Sequence, residues 1–85
     1  MKISDIFKMT LKTNEKLFLI YLYSKGCHRK EKAIETEELA KVLSTTTVTV
    51  WRIKDSLEEK GLISITRAHA KAVQEYKIIT KQNEN

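Results

Sequence analysis

The chain has 85 residues, a mass of 9.9 kDa and a formal net charge of +5, which allow one small domain and exclude two independent cores. Its 41% hydrophobic and 32% charged residues are typical of a foldable domain and not of a disordered or membrane-spanning segment. The longest apolar run, residues 17–23, is about a third of the length that crosses a bilayer, and no secretory signal precedes it. We therefore expect a single domain over residues 1–85, in the cytoplasm and without membrane contact.

The scarcity of cysteine, glycine and proline excludes several kinds of site. The single cysteine, Cys27, cannot form an intrachain disulfide, and with His28 and the distant His69 it lacks the spacing of a zinc site. With two glycines and no proline the chain has no phosphate-binding glycine loop, and its serine, histidine and acidic residues form no recognisable catalytic arrangement. We expect no enzymatic activity, no metal and no cofactor, and so short a chain leaves no residues for a small-molecule effector pocket.

The N-terminal residues predict a short helical turn and a longer helix. Residues 1–9 carry apolar side chains at mixed spacing, which predicts a short helical turn capped by Ser4. Thr13 is the expected N-cap of a first long helix over residues 14–25, and Gly26 stands at its C-terminus. The apolar side chains before this helix exceed what its capping requires, so we expect them to pack against the core or to form a homodimer interface. They are Ile3, Ile6, Phe7, Met9 and Leu11.

The middle of the chain predicts a short strand and two more helices. Residues 33–35 suit a short edge strand. Thr36 then precedes a short second helix over residues 37–43, where a capping hydroxyl and two acids in the first turn complement the helix dipole. Thr46 is the best N-cap for a third helix over residues 47–60, which stops at a glycine.

After the third helix, the period of the apolar residues changes from 3.6 to 2, which predicts a β-hairpin. A four-residue loop at 68–71 would set Ile63 opposite Tyr76 and Ile65 opposite Gln74. This register keeps one apolar face of the hairpin toward the helices.

The third helix has one core face and one face that can approach another molecule. The core face is formed by residues at positions i, i+3 and i+7, which are Val50, Ile53 and Leu57. Val48 and Arg52 point nearly opposite, and Trp51 flanks them. No acid occurs between residues 39 and 54. Because only the N-terminal half of a helix in the major groove approaches base edges, an acid-free N-terminal half is what a DNA-reading helix needs.

The order of elements and three stretches of sequence resemble a known domain. The stretches are Leu39-Ala40-Lys41-Val42-Leu43 followed by Thr46, then Thr49-Val50-Trp51-Arg52, then Leu57-Glu58-Glu59-Lys60-Gly61-Leu62-Ile63. They resemble the winged helix-turn-helix domain, and look closest to the DNA-reading domains of MarR-type and GntR-type regulators and of phage and plasmid replication proteins. The resemblance covers about residues 11–80 and implies an α+β fold of three helices, a short strand and a C-terminal β-hairpin wing. The polar residues 81–85 are expected to form a disordered tail.

The resemblance implies double-stranded DNA as the partner and a set of contact residues. Helix 47–60 would lie in the major groove, and hairpin 62–79 would be a wing on the backbone or in the minor groove. The predicted contacts from the helical part are Thr36, Lys41, Thr45, Thr46, Thr47, Val48, Trp51, Arg52 and Lys54, and those from the wing are Arg67, His69 and Lys71. Such families often carry arginine or glutamine at two positions where this chain has Thr47 and Val48. The methyl groups of these two residues favour contacts to thymine methyl groups instead.

Other interpretations of the same residues stay open. Trp51 can bury its ring against the hairpin or a dimer partner, and Arg52 can pair with Asp55 or Glu59 on a solvated helix surface. The charged loop 25–32 is interpreted as solvated surface rather than as a contact.

The predicted function is sequence-specific binding of duplex DNA by a small transcription regulator. One alternative is a DNA-binding accessory protein in phage or plasmid replication, partition or conjugative transfer. Another is a winged-helix module that binds proteins, which the net charge of −1 over residues 36–60 favours. The acid-free stretch between residues 39 and 54 favours DNA, since a docking module has no reason to maintain it.

Overall fold

The computed structural model describes residues 2–67 and 73–79, which form four helices and three strands. In chain order these are α1 (Ile3–Lys8), α2 (Thr13–Ser24), β1 (Lys32–Ala33), α3 (Thr36–Val42), α4 (Thr47–Glu59), β2 (Ile63–Thr66) and β3 (Glu75–Ile78). The predicted α+β class and the order of elements are confirmed. The expected wing loop 68–71 and the expected tail 81–85 lie outside the described residues.

The three strands form one antiparallel sheet in the order β1-β3-β2. Ile63 pairs with Ile78 and Ile65 with Tyr76, so the predicted hairpin register is wrong by two residues. The reason is that residues 67–74, and not a four-residue loop, connect β2 to β3. Because side chains alternate with a period of two, this shift leaves the same side chains on the core face.

Three of the four described helices begin with a side-chain cap, of two different kinds. Thr46 is the N-cap of α4 as predicted, and its Oγ1 accepts a hydrogen bond from the backbone N–H of Thr49 at 3.2 Å. The predicted caps Ser4, Thr13 and Thr36 are instead the second residue of α1 and the first residues of α2 and α3. In α1 and α2, the carboxylates of Asp5 and Glu15 accept from the N–H groups of the cap residues Lys2 and Lys12, at 2.8 and 3.2 Å. An acid inside the first turn therefore does the capping there, and the cap residue needs no side-chain oxygen.

Three helices end in the same backbone arrangement, the Schellman motif. The residue after the C-cap has a positive φ in each case, and the N–H of the next residue donates to the carbonyl five residues back. The positive-φ residues are Gly26 after α2 (90°), Ser44 after α3 (54°) and Gly61 after α4 (75°). The donors and acceptors are Cys27 and Leu22 at 3.0 Å, Thr45 and Ala40 at 2.9 Å, and Leu62 and Leu57 at 3.0 Å.

The core lies between the helices and one face of the sheet. Phe18 of α2 meets Tyr76 of β3 edge to face, with ring centroids 6.1 Å apart, and both side chains are fully buried. On α1, Ile6 is fully buried while Phe7 is 60% exposed. Packing of the N-terminal segment against the core is therefore confirmed, with Met9 and Leu11 also in contact with it. Within residues 2–67 and 73–79, no helix is long and apolar enough to cross a membrane.

Candidate nucleic-acid interface

The exposed side of α4 carries the side chains that the helical wheel assigned to it. Val48 is 54% and Trp51 58% exposed, and Arg52 is exposed as well, whereas the core residues of the same helix are buried. Arg52 forms no ion pair with any described residue, so the alternative pairing with a neighbouring acid is not observed. Trp51 does not bury its ring against the described part of the hairpin. We call Thr46, Thr47, Val48, Trp51 and Arg52 the reading face.

The first turn of α4 is free at its N-terminus. Thr46 is exposed, Thr47 is half-buried, and the first turn contains no acid. The unpaired N–H groups of a first helical turn carry partial positive charge. An anionic or electron-rich partner at this end of α4 would therefore meet no carboxylate from the first turn of the helix itself.

Two open grooves flank the reading face. The first, the α2 groove, has a volume of about 410 Å³ and lies between α4 and the start of α2. Its lining residues are Lys12, Thr13, Asn14, Glu15, Thr49, Arg52, Ile53 and Ser56. Lys12 and Arg52 are exposed, and the only acid in the lining is neutralised by a partner described below. The α2 groove is thus the basic flank of α4.

The second groove, the wing groove, lies between α4, the start of α3 and the base of the wing, and has a volume of about 550 Å³. Its lining residues are Glu35, Thr36, Glu37, Trp51, Lys54, Asp55, Arg67, Val73 and Gln74. Three acids against two cations make this flank unfavourable for phosphate. Trp51 and Arg52, adjacent in sequence, therefore line grooves of opposite electrostatic character.

The prediction of Lys54 as a DNA contact is wrong, because its side chain is buried and not on the exposed side of α4. The residue is only 4% exposed, and its Nζ donates to Oε1 of Gln74 at 2.7 Å and lies 5.8 Å from the ring centroid of Tyr76. Burial lowers the pKa of the ammonium, with the positive charge of Arg67 adding to the effect. Lys54 faces the hairpin because helical spacing puts it beside the buried Ile53. It joins α4 to the base of the wing.

The remaining predicted contacts lie around the reading face or outside the described residues. Arg67 stands at the start of the wing connection and pairs with Glu58 at 3.5 Å. Thr36 lines the wing groove, Lys41 near the end of α3 is exposed, and Thr45 in the turn before α4 is half-buried. His69 and Lys71 are not among the described residues.

A buried carboxylate fixes α2 against α4. Glu15, with a side chain only 5% exposed, accepts from Ser56 Oγ at 2.6 Å and from Lys60 Nζ at 3.1 Å. The hydrogen bond from Ser56 lowers the pKa of Glu15 against the opposing effect of burial, and Lys60 lowers it further. Ser56 lies in the second half of α4 and Lys60 is the C-cap that follows it, so these contacts hold the start of α2 against the end of α4.

A second polar contact fixes α3 against α2. The hydroxyl of Tyr21 donates to Oε2 of Glu38, and Lys25 Nζ lies 3.3 Å from the same oxygen. The Tyr21 hydrogen bond lowers the pKa of Glu38, with Lys25 acting in the same direction. Because α4 follows α3 through a tight turn, this contact also contributes to the orientation of the reading face.

Sequence reasoning missed Lys12 and Asn14 as members of the site. Both stand at the start of α2, 38 or more residues from Arg52, and no local pattern marks them. Only the packing of α2 on α4 brings them to the reading face. The described residues contain no group of three or more side chains that could hold a metal ion.

No protein-family model matches the chain, and no curated protein is significantly similar to it in sequence. Solved structures are similar in fold. MepR, a transcription regulator of the Staphylococcus aureus multidrug efflux pump MepA, superposes with a TM-score of 0.69 at 22% identity, over 91% of this chain and 53% of that chain. A possible transcriptional regulator from Methanosarcina mazei Go1 has a TM-score of 0.66 at 23% identity, over 95% of this chain and 68% of that one. The N-terminal domain of a DNA-binding protein has a TM-score of 0.63 at 15% identity, over 87% and 65% of the two chains.

These similarities establish the winged helix-turn-helix fold that the sequence predicted. In that fold α3 and α4 are the helix-turn-helix, and β2 and β3 are the wing. The chain spans about half the length of MepR, at 53%, and 65% of the third structure.

Proposed function

We propose that this protein binds double-stranded DNA with the N-terminal half of α4 in the major groove, and that it acts as a small transcription regulator. The observation that carries the proposal is the reading face. Its central side chains, Val48, Trp51 and Arg52, are exposed together on a helix with no acid in its first turn. The major groove is about 12 Å wide and admits one helix, and side chains in this position reach base edges. The similarity in fold to a transcription regulator and to a possible transcriptional regulator supports the regulatory role.

Phosphate contacts would come mainly from the α2 groove. Lys12 and Arg52 are exposed there, and the N-terminus of α2 adds partial positive charge. The three acids of the wing groove would stay at a distance from phosphate, whereas Arg67, which also lines this groove, stands at the start of the wing connection and would share the contacts of the wing. The proposal also includes DNA contacts from the wing, made by Arg67, His69 and Lys71. The proposed place of action is the cytoplasm.

Base recognition would divide between apolar and charged contacts. Val48 and the methyl group of Thr47 suit thymine methyls, and the Arg52 guanidinium suits O6 and N7 of guanine. Trp51 supplies a flat apolar surface at the edge of the site. The proposal therefore predicts a site that contains both thymine and guanine in adjacent positions.

The experiment begins by titrating purified protein with randomised duplex DNA and sequencing what is retained. On the preferred site, Arg52→Ala should lose about 1 to 3 kcal/mol of binding free energy, with a much smaller loss on random duplex. Lys8→Ala removes the same charge at the exposed end of α1, outside both grooves, and should change neither the affinity for the preferred site nor that for random duplex. Lys71→Ala should weaken all duplexes similarly and reduce the magnitude of the salt slope by about 0.9.

Equal weakening of Arg52→Ala on preferred and random DNA would make Arg52 a phosphate contact and shift base recognition to Thr47, Val48 and Trp51. If the variants bind duplex DNA as the parent does, with the fold intact by circular dichroism, the DNA proposal is wrong. The protein-binding alternative would then stand on the exposed Trp51 beside three groove acids. The accessory role in replication, partition or transfer stays a prediction.

A further inference from the structure

A basic cleft lies at the end of the molecule away from the reading face. It has a volume of about 610 Å³ and is formed by the last turn of α2, the loop that follows and β1. Its cationic lining residues are Lys25, Arg29, Lys30 and Lys32, and its wall includes Tyr23 and His28, whose rings stack at 3.9 Å and 5°. No acid occurs in its lining among the described residues. We call these residues the basic cleft.

The backbone at the end of α2 brings these cations together. Gly26 has a φ of 90°, and its carbonyl accepts from the N–H groups of Arg29 at 2.9 Å and Lys30 at 3.2 Å. This turn folds the two cationic residues back toward the end of α2. A Cβ on Gly26 would lie 3.4 Å from Cε of Lys32, an ordinary van der Waals distance, so it is the positive φ that favours glycine at this turn. The convergence of charge is thus a property of the folded loop and not of sequence proximity alone.

Most of the charge in the basic cleft is not neutralised. Lys25 pairs with Glu38 at 3.3 Å, but Arg29, Lys30 and Lys32 have no carboxylate within 4.0 Å in the described part of the chain. Residues 1–35 carry 8 basic and 4 acidic groups, which is +4 of the total of +5. A helix C-terminus can be stabilised by one nearby cation, and Lys25 already stands there. The three further cations mark a surface suited to an anion.

The position of the basic cleft separates it from the DNA proposed to lie on α4. Cys27 accepts, through its carbonyl, from the N–H of Ile78 at the last residue of β3, whereas the wing connection joins β3 at its first residue. The start of α2 lines the α2 groove beside Arg52, and the end of α2 lines the basic cleft. The 12 residues of α2 place about 18 Å between these two sites.

We propose that the basic cleft binds the phosphodiester backbone of a second DNA segment, so that one protein molecule bridges two duplexes. The cleft is open, and its Lys25, Arg29 and Lys30 side chains are exposed, so their ammonium and guanidinium groups suit a repeating backbone phosphate. Contacts of this kind are independent of sequence. The inference rests on the proposed DNA binding by α4 and adds a second site to it.

The test is capture of a second duplex. A duplex with the preferred site is immobilised and loaded with protein, and a fluorescent duplex of unrelated sequence is added. The parent should retain the second duplex, and the double variant R29Q/K30Q should retain at least about tenfold less while binding the immobilised duplex within about twofold of the parent. The dependence of log affinity for the second duplex on log salt concentration should decrease in magnitude by about 1.8 in the variant, the share of two phosphate contacts. Lys8→Gln, which removes one charge outside the cleft, is the control for a loss of surface charge and should capture as the parent does.

The outcomes separate this inference from the function on which it rests. If the parent binds the immobilised duplex in an Arg52-dependent manner but captures no second duplex, only the basic-cleft proposal is overturned. Capture that survives in R29Q/K30Q would assign bridging to two reading faces of a dimer and would overturn it as well. If a mononucleotide occupies the cleft and no duplex does, the phosphate comes from a small ligand and the proposal is wrong. If no duplex binds at all, both proposals fail.

Discussion

The turn between α3 and α4 offers a direct test of how backbone conformation holds the helix-turn-helix together. Ser44 stands in the left-handed region with a φ of 54°, in the position that glycine occupies after α2 and α4. An L-residue in this region costs roughly 1–2 kcal/mol, and the extra unfolded-state entropy of glycine offsets roughly 0.5–1 kcal/mol of the gain on substitution. The exposed Ser44 side chain has no hydrogen-bond partner among the described residues, so its removal loses no contact. We expect Ser44→Gly to raise the free energy of unfolding by about 0.5–1 kcal/mol.

Gly61→Ala is the matched change in the opposite direction. A Cβ at Gly61 would meet no heavy atom within 4 Å, so the only cost of alanine is its φ of 75°. The cost of this φ, less the unfolded-state entropy that alanine removes, gives an expected loss of about 0.5–1 kcal/mol. For a domain of this size, the melting temperature should rise by about 2–8 °C for Ser44→Gly and fall by a similar amount for Gly61→Ala, measured by circular dichroism. A decrease for Ser44→Gly together with no change for Gly61→Ala would refute the assignment of strain to the positive φ.

Three further predictions concern residues that support the reading face. Ile6→Ala empties a fully buried position and should cost about 2–5 kcal/mol in denaturant unfolding, whereas Phe7→Ala, with a 60% exposed ring, should change the free energy by less than about 0.5 kcal/mol; equal effects would contradict the packing of α1. Glu15→Gln should cost about 1–3 kcal/mol at pH 7. The folded-state pKa of Glu15 lies below its ordinary 4.5, so the stabilisation by Glu15 is present above pH 4.5 and is lost as pH falls through the folded-state pKa. The melting temperature of the variant should therefore fall less steeply than that of the parent between pH 7 and pH 3. Lys54→Met should keep or raise the melting temperature at pH 7. Because burial lowers the pKa of the ammonium, the parent should gain stability as pH rises toward 10 and the variant should not. A clear fall in the melting temperature of the variant at pH 7 would show that the ammonium is needed.

Local sequence was sufficient for much of the helical part. Thr46 caps α4, and glycines end α2 and α4, as their positions beside periodic apolar residues predicted. These features depend on hydrogen bonds between residues a few positions apart, which a short window of sequence contains. The same holds for the exposed side of α4, because helical periodicity assigns faces once the core residues are known.

Local sequence failed where two oxygens compete for one role. Ser4 and Thr13 carry the usual capping hydroxyl, but acids at the third helical position accept from the cap N–H groups and begin each helix earlier. The prediction of the hairpin register failed for a different reason. Both registers keep Ile63 and Ile65 on the core face, so hydrophobic pattern alone does not distinguish them.

The sequence by itself determined the class of fold, the order of its elements and the side of α4 that faces outward, because each of these follows from periodicity and from contacts within a few residues. Only the tertiary structure decided that Lys54 is buried under the wing and that Lys12 joins Arg52 in one groove. The physical reason is that these relations depend on how whole elements pack. That packing is set by the summed burial of a core drawn from every part of the chain, and no local spacing encodes it.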